Sequence, residues 1–191
     1  MSIALQITWN GPYAWPTFEG QTGLQSIPKL SGLYLQTFEY KSGYIIYAAG
    51  LTRRPVPSRF KEHTQKYMNG EYNVLDINAA QQGIRKEIWH GWGYAKKHRD
   101  EFDERKLEIL DAVQKQLEGF RIFVADVGEE PRILERLEAS IMENLYRQPS
   151  PFCDIPDKGM FLSQRWDSED PVFIESNCNV NIHGLPSHFE I

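Results

Sequence analysis

Apolar and polar positions change their period several times along the chain, and each change marks an element. Leu33 to Tyr40 and Tyr44 to Leu51 are two runs rich in aromatic and aliphatic residues, separated by Lys41-Ser42-Gly43. Runs of this kind joined by a short glycine-containing turn predict a β-hairpin. Pro55 and Pro57 stiffen the connection that follows, and Ser58 is placed to cap a helix beginning at Arg59. On that helix Phe60, Thr64 and Tyr67 share one face, while Arg59, His63 and Lys66 share the neighbouring one. From Phe102 to Glu118 the apolar residues Leu107, Leu110, Val113 and Leu117 recur at helical spacing, and Gly119 ends the run. Phe120 to Val127 reads as a strand, and Pro131 opens a helix that continues to Tyr146.

The last of these helices carries a polar residue where its pattern asks for an apolar one. Leu134, Leu137, Ile141, Met142 and Leu145 form one arc, and Glu138 lies inside it, between Leu134 and Met142. A carboxylate on a core-facing stripe costs several kcal/mol unless it is paired or ligates a cation. The alternative is a Glu at the edge of the stripe, reaching solvent or an arginine.

The remaining segments have weaker periods. Ile3, Leu5 and Ile7 alternate as in a short strand, and the residues from Trp9 to Phe18 make an aromatic arm expected to pack on the domain. A strand is expected from Asn73 to Ile77, then a helix capped by Asn78 and running through Ile84 and Ile88. Trp89-His90-Gly91-Trp92-Gly93 is an aromatic corner, followed by the basic run Lys96, Lys97, His98 and Arg99. Packing is the expected role of its tryptophans, and a nucleic-acid contact is the alternative. Beyond Arg147 the Pro and Gly content predicts loops, with short strands at Phe161 to Trp166 and Val172 to Glu175.

Composition narrows the function classes. The 191 residues suffice for one domain, and shares of 41% hydrophobic and 25% charged residues describe an ordinary soluble globular protein. A net charge of −5 excludes a surface coated in positive charge, but not a local basic groove. Arg53, Arg54, Arg59, Lys61 and Lys66 stand against Glu62 alone in the segment after the hairpin. The two cysteines, Cys153 and Cys178, make no disulfide framework, so a reducing cytoplasm is expected. With His183 and His188 they are poorly spaced for zinc. The opening MSIALQITWNGPY has neither a basic start nor a long apolar run, so no signal peptide and no membrane span are expected. Glycine-rich phosphate loops and nucleophile elbows are absent from the sequence. The acids from Asp100 to Glu104 sit at a helix start, where they favour the macrodipole.

Gly32-Leu33-Tyr34, Tyr47-Ala48-Ala49-Gly50, the Arg59 and His63 pair, and Glu138 follow one another in an order that resembles the GIY-YIG nuclease family. The resemblance implies an α+β fold with a small three-stranded sheet, the hairpin plus one further strand, flanked by helices. It implies a single domain over residues 1–191, with a core at about 30–68 and 119–147 and an insertion at about 69–118. An N-terminal arm and a tail at 148–191 complete it, an arrangement similar to the restriction endonuclease branch. The implied activity is divalent-metal-dependent hydrolysis of nucleic-acid phosphodiesters, with DNA favoured over RNA and a homodimer as the working unit. In that scheme Tyr34 helps deprotonate a water, Glu138 holds Mg²⁺ or Mn²⁺, Arg59 contacts the scissile phosphate, and His63 and Tyr47 assist. Arg53, Arg54, Lys61 and Lys66 would bind the nucleic-acid backbone. The family often has a Pro and then an Asn after its Glu; Pro149 fits, and Asn177 or Asn179 would serve if the chain folds back. The family's second tyrosine normally stands two residues before the motif glycine, where this chain has Ala48. A one-residue shift turns a strand side chain to the other face. Either a bulge around Ala48-Ala49 returns Tyr47 to the site, or the chain is a catalytically lapsed relative that binds nucleic acid or protein.

Overall fold

Residues 4–191 are described by a computed structural model of the chain, so Ile3, the first residue of the expected N-terminal strand, lies outside them. Strand β1 (Ala4–Tyr13) and the short helix α1 (Glu19–Thr22) precede the hairpin of β2 (Gly32–Tyr40) and β3 (Gly43–Thr52). Helix α2 (Val56–Met68) follows. Next come β4 (Val74–Leu75), α3 (Ile77–Ala80), β5 (Glu87–Trp89), α4 (Trp92–Lys97), α5 (Arg99–Glu104) and α6 (Lys106–Gly119). Strand β6 (Phe120–Ala125), helix α7 (Pro131–Tyr146) and strands β7 (Phe173–Cys178), β8 (Ile182–His183) and β9 (His188–Glu190) complete the α+β fold.

The sheet is larger than the expected three strands. Seven strands run in the order β8-β3-β2-β6-β1-β7-β9, and β4 with β5 forms a separate pair. The reason lies in the chain's ends. The expected N-terminal strand runs on to Tyr13 as an inner strand, antiparallel to β6 and parallel to β7, and beyond it Ala14, Trp15 and Phe18 pack on the domain. Ile7 and Trp9 are buried in the strand, and the Trp9 indole donates to Ser176 Oγ at 3.0 Å. Among the described residues no helix is long and apolar enough to cross a membrane.

Both faces of the central strands are covered, which is why their sequences are apolar almost throughout. One face carries Tyr34, Phe38, Phe120 and Ile122, packed beneath Trp15, Phe60 and Tyr67 and the α6 residues Val113 and Leu117. The other carries Leu33, Leu35, Ile46 and Phe123 beneath the α7 residues Leu134, Leu137, Ile141 and Leu145. Helix α7 has the predicted bounds.

Several other elements differ from expectation. Helix α2 begins at Val56, so Ser58 lies in its first turn and caps nothing; Pro55 occupies the capping position. Asp76, not Asn78, caps α3 by accepting from Ala79 N–H at 3.2 Å. That helix stops after one turn, Gly83 turns the chain at φ +77°, and Glu87–Trp89 pairs with β4 in place of the expected helix. The helix expected from Phe102 is two helices broken at Arg105, whose guanidinium bonds Glu101, Glu108 and Ile88 O. Within α6 the expected Val113 and Leu117 are buried, and Ile109 and Gln116 complete their arc. Phe102 turns inward, and Leu107 is 88% exposed while Gln116 is buried in the stripe. Residues 161–166 form no strand, and Phe161 is exposed.

Candidate active site

The site forms along the outer half of β3. Strand β8 pairs only with Tyr44 and Ile45, so the backbone from Tyr47 to Thr52 has no neighbouring strand on that side. Its exposed groups are met individually. Asp157 N–H donates to Tyr47 O at 2.8 Å, Ala49 N–H points at Met142 Sδ at 3.1 Å, and Leu51 N–H is bonded by the Glu138 carboxylate. Helix α7 reaches this edge from one face of the sheet and helix α2 from the other. Between them lies a cavity of about 430 Å³.

Tyr34, Tyr47, Arg59, His63 and Glu138 all line this cavity. They arrive from β2, β3, α2 and α7, elements far apart in the chain. Both motif glycines have steric reasons. Gly32 has φ +129°, and a Cβ there would come within 2.4 Å of Ala125 O. The Tyr34 ring lies across Gly50, where a Cβ would stand 2.3 Å from its Cζ and hydroxyl.

Tyr47 reaches the cavity through a bulge. Gln36 pairs with Ala48 and Thr37 with Ile46, so Tyr47 is the extra residue in β3. Tyr47 and Ala48 therefore both pack on the Tyr34 face, and the irregularity lies one residue before the expected Ala48-Ala49. Tyr47 is buried, and neither its hydroxyl nor the buried Gln36 Oε1 beside the cavity has a hydrogen-bond partner.

His63 and Tyr34 form a close polar contact in the site, Oη to Nε2 at 2.8 Å. The other ring nitrogen, Nδ1, lies 3.2 Å from the Tyr72 hydroxyl. Burial, with Arg59 adding to it, pushes the His63 pKa down to about 3, so the imidazole is neutral at neutral pH. A neutral ring has one donor and one acceptor. The assignment that leaves Tyr34 donating to Nε2 has Nδ1–H donating to Tyr72. Burial raises the Tyr34 pKa, Arg59 opposes the rise, and Glu138 adds to it. Arg59 itself donates to Glu62 at 3.0 Å, and Glu62 also holds Arg54 at 2.8 Å.

Glu138 is the site's unbalanced charge. Burial lifts its pKa to about 7, against the opposing pull of Arg59 and the Leu51 N–H. Among the described residues no group of three or more His, Cys, Asp or Glu side chains is placed to hold a metal. A single hard carboxylate near an arginine nevertheless matches how Mg²⁺ is bound, through one or two carboxylates while most of its waters are kept. The donor chemistry of Glu138 therefore fits the cation expected from sequence.

The other expected residues are scattered. Arg53 and Arg54 line an open groove that shares Leu51 and Arg59 with the cavity. Lys61 faces away, into a groove with Pro16 and Thr17, and so departs from the expected nucleic-acid track. Lys66 borders a second cavity, described below, and is paired with Glu71 at 2.9 Å. Asn177 lies on β7 beside β1, and neither it nor Asn179 lines the cavity. Cys153 and Cys178 are free thiols.

Among the wall residues that escaped sequence reasoning as site members are Tyr72, Trp92 and Asp157. Asp157 is buried, and its Oδ1 accepts from Asn73, Trp92 Nε1 and Gly159 N–H at 3.0, 3.2 and 3.1 Å. It joins the tail to the insertion at the edge of β3. Only Trp92 carried a sequence signal, its place in the aromatic corner. No protein-family model, curated protein or solved structure matches the chain.

Proposed function

We propose that the protein is a divalent-metal-dependent phosphodiesterase acting on nucleic acid, a DNA endonuclease resembling the restriction branch of the GIY-YIG nucleases. The observation that carries this reading is the convergence of Tyr34, Arg59, His63 and Glu138 on one cavity at the edge of β3. Hydrolysis of a phosphodiester needs an oriented water, positive charge on the phosphate and a place for the water's proton. Because Tyr34 donates its proton toward neutral His63, the lone pairs of its oxygen remain to orient a water. Arg59 reaches the phosphate by exchanging Glu62 for a phosphate oxygen, a planar bidentate contact that a guanidinium makes well. Glu138 would hold Mg²⁺ or Mn²⁺, which when bound supplies charge stabilisation at the phosphate. Tyr47 extends the wall beside the reacting group.

The test is nicking of supercoiled plasmid with and without Mg²⁺, alongside Tyr34→Phe. Magnesium-dependent nicking that the variant loses supports the reading. No nicking with any divalent cation overturns it. One observation favours the second reading, a binding module that has lost catalysis: Glu62 occupies both Arg54 and Arg59. In that case the protein binds oligonucleotides without cleaving them.

A further inference from the structure

A second cavity, of about 580 Å³, opens from the first across a shared wall of Tyr72 and Trp92. Lys66, Lys96 and Arg99 line it, against the single acid Glu71. This is a local excess of positive charge in a chain of net charge −5. Lys66 is already neutralised by Glu71, and Arg99 donates to Asn69 O at 2.7 Å while lying over the Phe102 ring. Lys96 stands at the end of α4, exposed.

The aromatic wall is held rigidly although it borders open space. The Tyr72 and Trp92 rings are 5.0 Å apart, inclined at 42°. Trp92 has φ +54°, a left-handed conformation that is strained for a bulky side chain. Its N–H donates to Glu71 O at 2.7 Å, its indole donates to Asp157, and a Cβ on Gly159 would come within 2.3 Å of the indole nitrogen. The chain thus spends backbone strain to fix a partly exposed indole at the junction of two cavities, with cations beyond it.

We infer that this second cavity is a subsite for a single-stranded DNA segment flanking the cleaved phosphate. One unstacked base lies on the Trp92–Tyr72 wall, and the adjoining phosphate meets Lys96 and Arg99. A duplex buries the faces of its bases and offers only their edges, whereas a concave aromatic wall recognises a face. The inference rests on the nucleic-acid reading of the adjoining cavity and adds to it the form of the substrate, a site that is locally unpaired.

The experiment measures binding in EDTA, so that cleavage plays no part. Fluorescein-labelled oligothymidylate of about 12 nucleotides, a length within the range such sites span, is compared with a blunt duplex of equal length. The expected result is tighter binding of the single strand with quenching of tryptophan fluorescence. Trp92→Ala should lose on the order of tenfold in affinity and most of the quench, and Trp92→Phe should recover part of the affinity. Lys96→Ala should lower the slope of log affinity against log salt by about 0.7. Equal binding of duplex and single strand, with Trp92→Phe and Lys96→Ala unchanged from the native protein, overturns the subsite. Nicking measured in parallel separates the two readings. Trp92-dependent single-strand binding without nicking keeps the subsite and removes the hydrolase. Nicking with binding indifferent to both substitutions does the reverse.

Discussion

Replacing Glu138 by Gln removes one charge and little else, because the amide oxygen can still accept from Leu51 N–H. Burial has raised the carboxyl pKa from its ordinary 4.5 to about 7, so the folded chain holds this proton more tightly than the unfolded chain does. Stability from this group is full below 4.5 and is lost as pH rises through 7. Above that range the ionised carboxylate costs about 3 kcal/mol in the fold. Partial exposure of the side chain reduces the recoverable part to about 2 kcal/mol. In EDTA at pH 8 the variant should therefore be more stable than the native protein. For a chain of 191 residues the rise in Tm is about 4–8 °C, shrinking to a degree or two at pH 5. A cation at the site acts in the opposite direction and narrows the gap. At ten times its dissociation constant it contributes about 1.4 kcal/mol, which should raise the native Tm at pH 8 by about 3–6 °C and leave the variant's unchanged. Scanning calorimetry at the two pH values, with EDTA or Mg²⁺, reads all of this, and plasmid nicking should be abolished in the variant. A variant no more stable than the native chain in EDTA at pH 8 would show that the carboxylate is already compensated. Magnesium stabilising both equally, or nicking by the variant, would place the metal elsewhere.

Arg59→Lys should lose on the order of a hundredfold in single-turnover cleavage with little change in DNA affinity, the scale of one electrostatic donor at a reacting group. Arg53→Ala should instead weaken binding and flatten its salt dependence with the chemical step intact; the opposite pattern would exchange the two assignments. The depressed pKa of His63 means that, as pH falls from about 6.5 towards 3, the unfolded chain gains a proton that the folded chain refuses, so stability is lost in that window. His63→Gln should lessen the acid sensitivity of Tm between pH 7 and 4, and an unchanged profile would contradict the buried neutral imidazole. Gly50→Ala should displace the Tyr34 ring, costing about 1–3 kcal/mol in stability by urea unfolding together with most of the nicking activity; native behaviour in both would mean that the ring yields freely.

How far the sequence could be read followed from whether neighbouring residues or distant ones decide each feature. Helix α7 was legible to its ends because Pro131 marks the start and the helical period persists, and the same period singled out Glu138. The hairpin was legible from its turn and its apolar runs. Strand β1 was legible from the alternation of Leu5 and Ile7, but its place inside the sheet was not. Its partners β6 and β7 lie more than a hundred residues away, and alternation specifies a strand without naming its neighbour. Tyr72, Trp92 and Asp157 reach the cavity from separate loops and short elements, where no period exists to give a side chain's direction. Arg105 divides the expected helix in two, and within α6 the buried arc of Ile109, Val113, Gln116 and Leu117 leaves Leu107 in solvent.

Tyr47 combines these lessons. Every residue from Ile45 to Ala49 is apolar because both faces of β3 are covered, so no polar position fixes the strand's phase. A bulge leaves no trace in such a run. Its cause is visible only in three dimensions. Beyond Tyr47 the strand leaves β8 behind, and its edge is taken over by side chains of α7 and by Asp157. The extra residue lets the strand bend there while Ala48 and Gly50 keep their pairing with Gln36 and Tyr34. The small side chains at 48 and 50 leave room for the Tyr34 ring and the cavity, and Tyr47 supplies the aromatic wall that a regular strand would have turned to the α7 face. Tyr47-Ala48-Ala49-Gly50 is therefore the sequence of a bulged strand, and it keeps Tyr47 at the cavity three residues before Gly50.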